Sequence, residues 1–138
     1  MNPMFVDSNI FIFANDANYP ENLDAKSFFG EAEDMEFNTI IALESHYGYL
    51  RNLGALEAER ILKSMFASRI LTYIDIERDD ILEGAIISGE YSIRSNDATI
   101  IANMLRNGIK KIATDNVRDF SHHPEIEVYN PITRSSRS

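Results

Sequence analysis

The chain has 138 residues, 44% of them hydrophobic and 25% charged, with no cysteine; this is one domain's worth of ordinary globular sequence, and it excludes disulfides and thiolate metal sites. The 13 Lys and Arg against 22 Asp and Glu leave a formal charge of −9, which argues against indiscriminate binding to a phosphate backbone, so contact with nucleic acid must be local or metal-assisted. No apolar run approaches the roughly 18 to 20 residues that a membrane span needs, and no basic segment precedes an apolar one at the N-terminus, so a cytoplasmic protein with no membrane attachment is expected.

In chain order, "MFV" (4–6) reads as a buried strand. A polar segment follows, and then a helix whose start carries Pro20 and Glu21 and whose interior carries Leu23, Phe28 and Phe29. "EFNTIIA" (36–42) reads as the second strand, running into a helix in which Leu43, Tyr47 and Leu50 recur at helical spacing before Gly54 stops it. "ALEAERILKSMFA" (55–67) predicts another helix, with Leu56, Ile61, Leu62 and Met65 on roughly one face. "ILTYIDI" (70–76) is β-branched and reads as a strand. Residues 78–89 predict a helix with Ile81, Leu82, Ala85 and Ile86 as its stripe, and "NDATIIANMLRNG" (96–108) predicts one that Asn107 and Gly108 terminate. "IKKIATD" (109–115) and "EIEVYNP" (125–131) are the last two strands. Strands alternating with helices imply an α/β fold with a mostly parallel sheet covered on both faces.

In such a sheet, ligands collect beyond the carboxyl ends of the strands. Acids at those positions are therefore the candidates. Asp7 ends the first strand, Glu44 lies at the beginning of the helix after the second, Asp97 precedes an apolar helical stripe, and Asp115 follows "KKIAT" with Asp119 four residues on. Taken singly, each also reads as a turn residue, a cap, a first-turn acid or an ordinary loop acid. As a set they carry more meaning, because two carboxylates about 4 Å apart repel by roughly 1 kcal/mol in water and about 4 kcal/mol near a protein surface. A divalent cation reverses that sign, and Mg²⁺ or Mn²⁺ prefers hard oxygen ligands while keeping waters. Such an ion suits attack of water on a phosphodiester.

The segments "FVDSNIFI", "ALESHYG" around Glu44, "SNDATIIANML" around Asp97, and "IATDNVRDF" followed by "EIEVYNP" resemble, in that order and over nearly the whole chain, the PIN domain, particularly the VapC-type toxin ribonucleases of prokaryotes. The resemblance implies a three-layer α/β/α sandwich with a central mostly parallel sheet, an acidic pocket that takes Mg²⁺ or Mn²⁺, and hydrolysis of RNA to 5′-phosphate and 3′-hydroxyl ends. Carried over by motif, Asp7, Glu44, Asp97 and Asp115 are the metal-binding and catalytic acids. Asp119 is the second choice for the fourth position, because relatives vary in spacing there and some align an asparagine where Asn116 stands. Thr114 matches a hydroxyl position that orders the pocket, and Asn9 supports the segment carrying Asp7. The resemblance further implies a homodimer and a cognate antitoxin that covers the active-site groove, often inserting a basic side chain among the acids. The apolar residues of "ESHYGYLRNLG" and "ILKSMFA" are candidates for those interfaces, with packing into the chain's own core as the default.

The expected organisation is a single domain over residues 1–132 with a polar tail at 133–138. His46, His122 and His123 have no zinc-binding spacing. Arg51, Lys63, Arg94 and Arg118 either steer a phosphate backbone toward the pocket or are solvated surface charge. The alternative reading of the whole is a catalytically silent PIN-like module that binds RNA or protein. A receiver-type phosphoacceptor fits poorly, since Lys110 and Lys111 stand at the head of their strand instead of following it. A haloacid-dehalogenase-type phosphatase would place a second aspartate where Asn9 stands.

Overall fold

The computed structural model describes residues 3–133. Of the domain and tail expected at 1–132 and 133–138, residues 1, 2 and 134–138 lie outside the described residues. Five strands, β1 (Met4–Val6), β2 (Met35–Asn38), β3 (Leu71–Ile74), β4 (Lys111–Ala113) and β5 (Glu127–Tyr129), form one sheet in the order β3-β2-β1-β4-β5. Every pairing is parallel. Seven helices surround it among the described residues: α1 (Ser8–Ala14), α2 (Asn22–Glu31), α3 (Thr39–Leu53), α4 (Ala55–Ala67), α5 (Arg78–Tyr91), α6 (Ser95–Arg106) and α7 (Val117–Phe120). The result is the expected three-layer α/β/α sandwich, with a sheet that is wholly parallel.

Alternation along β2 shows how the two outer layers are held. Phe37 packs edge-on to Phe11 of α1 and Phe66 of α4, while its neighbour Asn38 turns to the opposite face and donates to Asn103 of α6 at 2.9 Å. Phe5 and Val6 of the central strand are fully buried. The strand order matters most for function. The chain first builds outward from β1 through β2 to β3, then crosses to the other side of β1 to lay down β4 and β5. The switch point therefore lies between the carboxyl ends of β1 and β4, where a parallel sheet opens a crevice. No helix among the described residues is long and apolar enough to cross a membrane.

Three local expectations are corrected. The polar segment expected after the first strand is helix α1, which Asp7 caps: its backbone is extended (φ −76°, ψ 160°) and its side chain accepts from the Ser8 amide. Ser8 and Asn9 are thus the first turn of a helix that buries Ile10 and Phe11. The second strand stops at Asn38, not Ala42, because the Asn38 side chain accepts from the Ile41 amide at 3.1 Å and starts α3 there. Finally, two apolar stripes face outward. Leu43, Tyr47 and Leu50 on α3 and Ile81, Leu82 and Ile86 on α5 are exposed, and the buried faces are instead Ile41, Ala42, Ser45 and Tyr49, and Asp80, Gly84 and Ile87.

Candidate active site

The register of β1 against β4 brings the first acid to the crevice. Val6 sits opposite Ala113, so the next residues, Asp7 and Thr114, leave the sheet side by side, with the Asp7 amide donating to the Ala113 carbonyl at 2.9 Å. The buried Thr114 hydroxyl donates to Asp7 Oδ2 at 2.8 Å, and the Ser8 amide donates to Asp7 Oδ1 at the same distance. Asn9 lies across this pair, its Nδ2 3.3 Å from Thr114 Oγ1 and 3.4 Å from Asp7 Oδ2, and its Oδ1 accepts from the Asp115 amide at 3.2 Å. One asparagine thereby ties the segment after β1 to the segment after β4.

The other acids approach from helices. Glu44 stands in the second turn of α3, half-buried, accepting from Ser8 Oγ at 3.1 Å and from Asn96 Nδ2 at 3.3 Å. Asp97 is the third residue of α6 and not its cap; it is buried, and its Oδ2 accepts from Asn116 Nδ2 at 3.2 Å. The same Asn116 Nδ2 donates to Asp119 Oδ2 at 3.1 Å, and the Arg94 guanidinium lies 3.5 Å from Asp97 and 3.2 Å from Asp119. Asp115, the first choice for the fourth acid, accepts at its Oδ1 from Asn130 Nδ2 at 3.1 Å. The carboxylate that shares partners with Asp97 is Asp119, on the short helix α7.

Electrostatics link the group. Burial raises the Asp7 carboxyl from 3.8 to about 7, the Thr114 hydroxyl and Ser8 amide pull against that rise, and the charges of Asp97 and Glu44 add to it. Burial likewise raises Asp97 to about 6, with Arg94 lowering it and Glu44 and Asp119 raising it. These carboxyls repel one another across a shared space. Among the described residues, no three His, Asp or Glu side chains form a ready-made metal cage. The donor set nevertheless fits a hard divalent ion: two buried carboxyls whose charging is opposed by burial and by neighbouring acids, with Thr114, Ser8 and Asn116 as neutral partners and the Arg94 guanidinium beside Asp97, could supply the one or two direct carboxylates that Mg²⁺ takes while keeping its waters.

Several residues of this network were not singled out by sequence reasoning. Ser8 and Asn96 both donate to Glu44, and Asn130 holds Asp115. Their common signal is adjacency, since Ser8 and Asn96 each flank a candidate aspartate. Of the four basic residues considered for steering, Arg94 reaches the acids. It lies three residues before Asp97, on the same side of the first turn of α6.

A family model described as PIN domain matches residues 4–125. No curated protein matches the chain by sequence. Among solved structures, the chain is similar to the Mycobacterium tuberculosis toxin VapC20, described as cleaving the sarcin-ricin loop, with a TM-score of 0.73 and 20% identity over 86% of this chain and 92% of that one. It is also similar to a DNA-bound VapBC from Salmonella typhimurium, with a TM-score of 0.72 and 18% identity over 95% of this chain and 99% of that one. A toxin-antitoxin complex from Klebsiella pneumoniae gives a TM-score of 0.69 and 20% identity over 93% and 97%.

Proposed function

The chain belongs to the PIN domain family, and from that premise we propose that it is a metal-dependent endoribonuclease, the toxin of a toxin-antitoxin pair. The observation that carries the reading is the linkage of Asp7, Glu44 and Asp97 at the carboxyl-end crevice: Ser8 and Asn96, the neighbours of Asp7 and Asp97, both donate to Glu44, the charges of Asp97 and Glu44 raise Asp7, and the charge of Glu44 raises Asp97. Asp7 and Asp97 hold Mg²⁺ or Mn²⁺, and Glu44 assists. The fourth acid is Asp119 in preference to Asp115, because Asp119 shares Asn116 and Arg94 with Asp97. When bound, the ion supplies Lewis-acid stabilisation of a phosphodiester undergoing attack by water.

The chain's own residues do the positioning. Thr114 and Asn9 fix the Asp7 carboxyl, Ser8 and Asn96 fix Glu44, and Asn116 fixes Asp97 relative to Asp119. Glu44, half-buried and held by Ser8 and Asn96, would accept a proton from an attacking water in this reading. The substrate class is RNA, and the products carry 5′-phosphate and 3′-hydroxyl ends. A basic antitoxin segment is the partner that an acidic pocket favours, and solved relatives described as toxin-antitoxin complexes support it. Homodimer formation draws on the outward apolar stripes of α3 and α5. The cytoplasm is the compartment proposed.

The alternative, a catalytically silent module that binds RNA or protein, draws on the lack of a preformed three-ligand cage among the described residues. One experiment separates the two: a panel of structured RNAs is incubated with Mg²⁺, Mn²⁺ or EDTA, and end chemistry is read on the products. Cleavage by the wild type with a divalent ion, abolished in EDTA and reduced at least about 100-fold in Asp7→Asn and Asp97→Asn, supports the nuclease. Metal-independent cleavage, or variants as active as the wild type with unchanged circular dichroism, rejects it.

A further inference from the structure

Arg94 is the residue whose placement the nuclease reading leaves without a role. It precedes α6 as its N-cap, with an extended ψ of 148° and no side-chain cap hydrogen bond. Its guanidinium instead lies over the first turn, and a single nitrogen, Nη2, is 3.5 Å from Asp97 Oδ2 and 3.2 Å from Asp119 Oδ2. The two carboxylate oxygens it faces are the same two that Asn116 Nδ2 bridges. Arg94 and Asp97 also line a cavity together with Glu44, Ser95 and Asn96.

We infer that Arg94 is an internal counter-cation of the acidic pocket, occupying Asp97 and Asp119 in the metal-free protein and yielding them when a divalent ion binds. The inference rests on the proposed metal dependence. Its physical basis is that a guanidinium and a divalent cation draw on the same carboxylates and repel each other in the same space. An arginine with a buried stem and a bidentate grip would resist displacement. Arg94 has neither: its side chain is 74% exposed, and one nitrogen makes both contacts. Pairs whose cation is this exposed and monodentate are weak, and salt screens them. Arg94 therefore lowers the charge of the empty pocket without locking it, and it raises the concentration of divalent ion needed to load the site.

The test is a calorimetric titration of the full chain with MnCl₂ at low and high KCl, comparing wild type, Arg94→Ala, Arg94→Lys and Asp97→Asn. Removing a weak pair of this kind is worth roughly 1.5- to 5-fold in a competing affinity, so Arg94→Ala should bind Mn²⁺ tighter than the wild type by about that factor. Arg94→Lys should fall between, and the gap between wild type and Arg94→Ala should narrow in high KCl, which a purely structural role for Arg94 would not produce. Asp97→Asn should lose the binding. Equal or weaker Mn²⁺ affinity in Arg94→Ala, while Asp97→Asn still loses it, overturns the counter-cation and leaves the nuclease reading standing. Absence of Mn²⁺ binding in both wild type and Arg94→Ala defeats both. Because Arg94 is exposed and caps nothing with its side chain, thermal melts of the variants are expected to stay within a few degrees of wild type.

Discussion

At the scale of single residues, the site is held in a state it would leave on charging. Asp7 titrates at about 7 in the folded chain against 3.8 as a free carboxyl. A raised folded-state value means that the folded protein binds the proton more tightly, so the associated stability is fully present below pH 4 and is lost as pH rises through 7. Above pH 7 the metal-free protein carries a buried charge beside Asp97 and Glu44. Asp7→Asn removes that charge, and we expect it to stabilise the protein, relative to wild type, by about 1–3 kcal/mol more at pH 8 than at pH 5. Glu36 on β2 is raised to about 7 as well, by burial and then by Asp34, so the two proteins must be compared at each pH by thermal melting. A stabilisation of equal size at both pH values would show that Asp7 is not the source. The residues that sequence reasoning brought forward, Asp7, Glu44 and Asp97, each border an apolar run, and that border is visible in one dimension. The preference proposed for Asp119 over Asp115 was not, because it rests on α7 turning Asp119 back toward Asn116 while Asn130, from beyond β5, donates to Asp115. The reach of Arg94 was equally hidden, since a solvated lysine or arginine and one folded over two carboxylates have the same local sequence.

At the scale of elements, the number of strands was legible because five short apolar runs recur along the chain, most of them separated by helical stripes, whereas their order in the sheet was not. Helix α1 was not, since seven residues leave little periodicity and Ser8 and Asn9 read locally as a turn. The stripes of α3 and α5 were legible as stripes but not as to which side they faced. In both helices the buried side contains small or polar residues, Ala42 and Ser45 in one and Asp80 and Gly84 in the other. Small residues are what close helix packing requires. A Cβ on Gly84 would lie 2.5 Å from Thr99 Oγ1 and 2.8 Å from Thr99 Cα, and the latter belongs to the backbone of α6 and cannot rotate away. Gly84→Ala should therefore destabilise the protein by about 1–3 kcal/mol despite alanine's better helix propensity. Gly89, one turn further along α5, has open space around it, so Gly89→Ala should stabilise by up to about 1 kcal/mol. Urea denaturation of the two variants reads the contrast, and changes of the same sign in both would refute the packing argument.

At the scale of the whole molecule, the two proposed associations would respond to salt in opposite ways. The exposed stripes Leu43, Tyr47 and Leu50 on α3 and Ile81, Leu82 and Ile86 on α5 give an apolar route to a homodimer. Each copy carries a formal charge of −9, so copies repel at long range, and screening by salt should strengthen a dimer whose contact is apolar. A basic antitoxin segment in the acidic crevice is attracted by the same field, and salt should weaken that complex. Sedimentation at tens of micromolar protein, in 50 and 500 mM KCl, tests the dimer. The proposed dimer should persist or tighten at the higher salt, and either Leu43→Glu with Tyr47→Glu, or Leu82→Glu with Ile86→Glu, should convert it to monomer by placing charge in the contact. A wild type that is monomeric at both salt concentrations would remove the homodimer from the proposal. A dimer that dissociates as salt rises would place its contact on charged groups, and the two stripes would then be left for the antitoxin or for another partner.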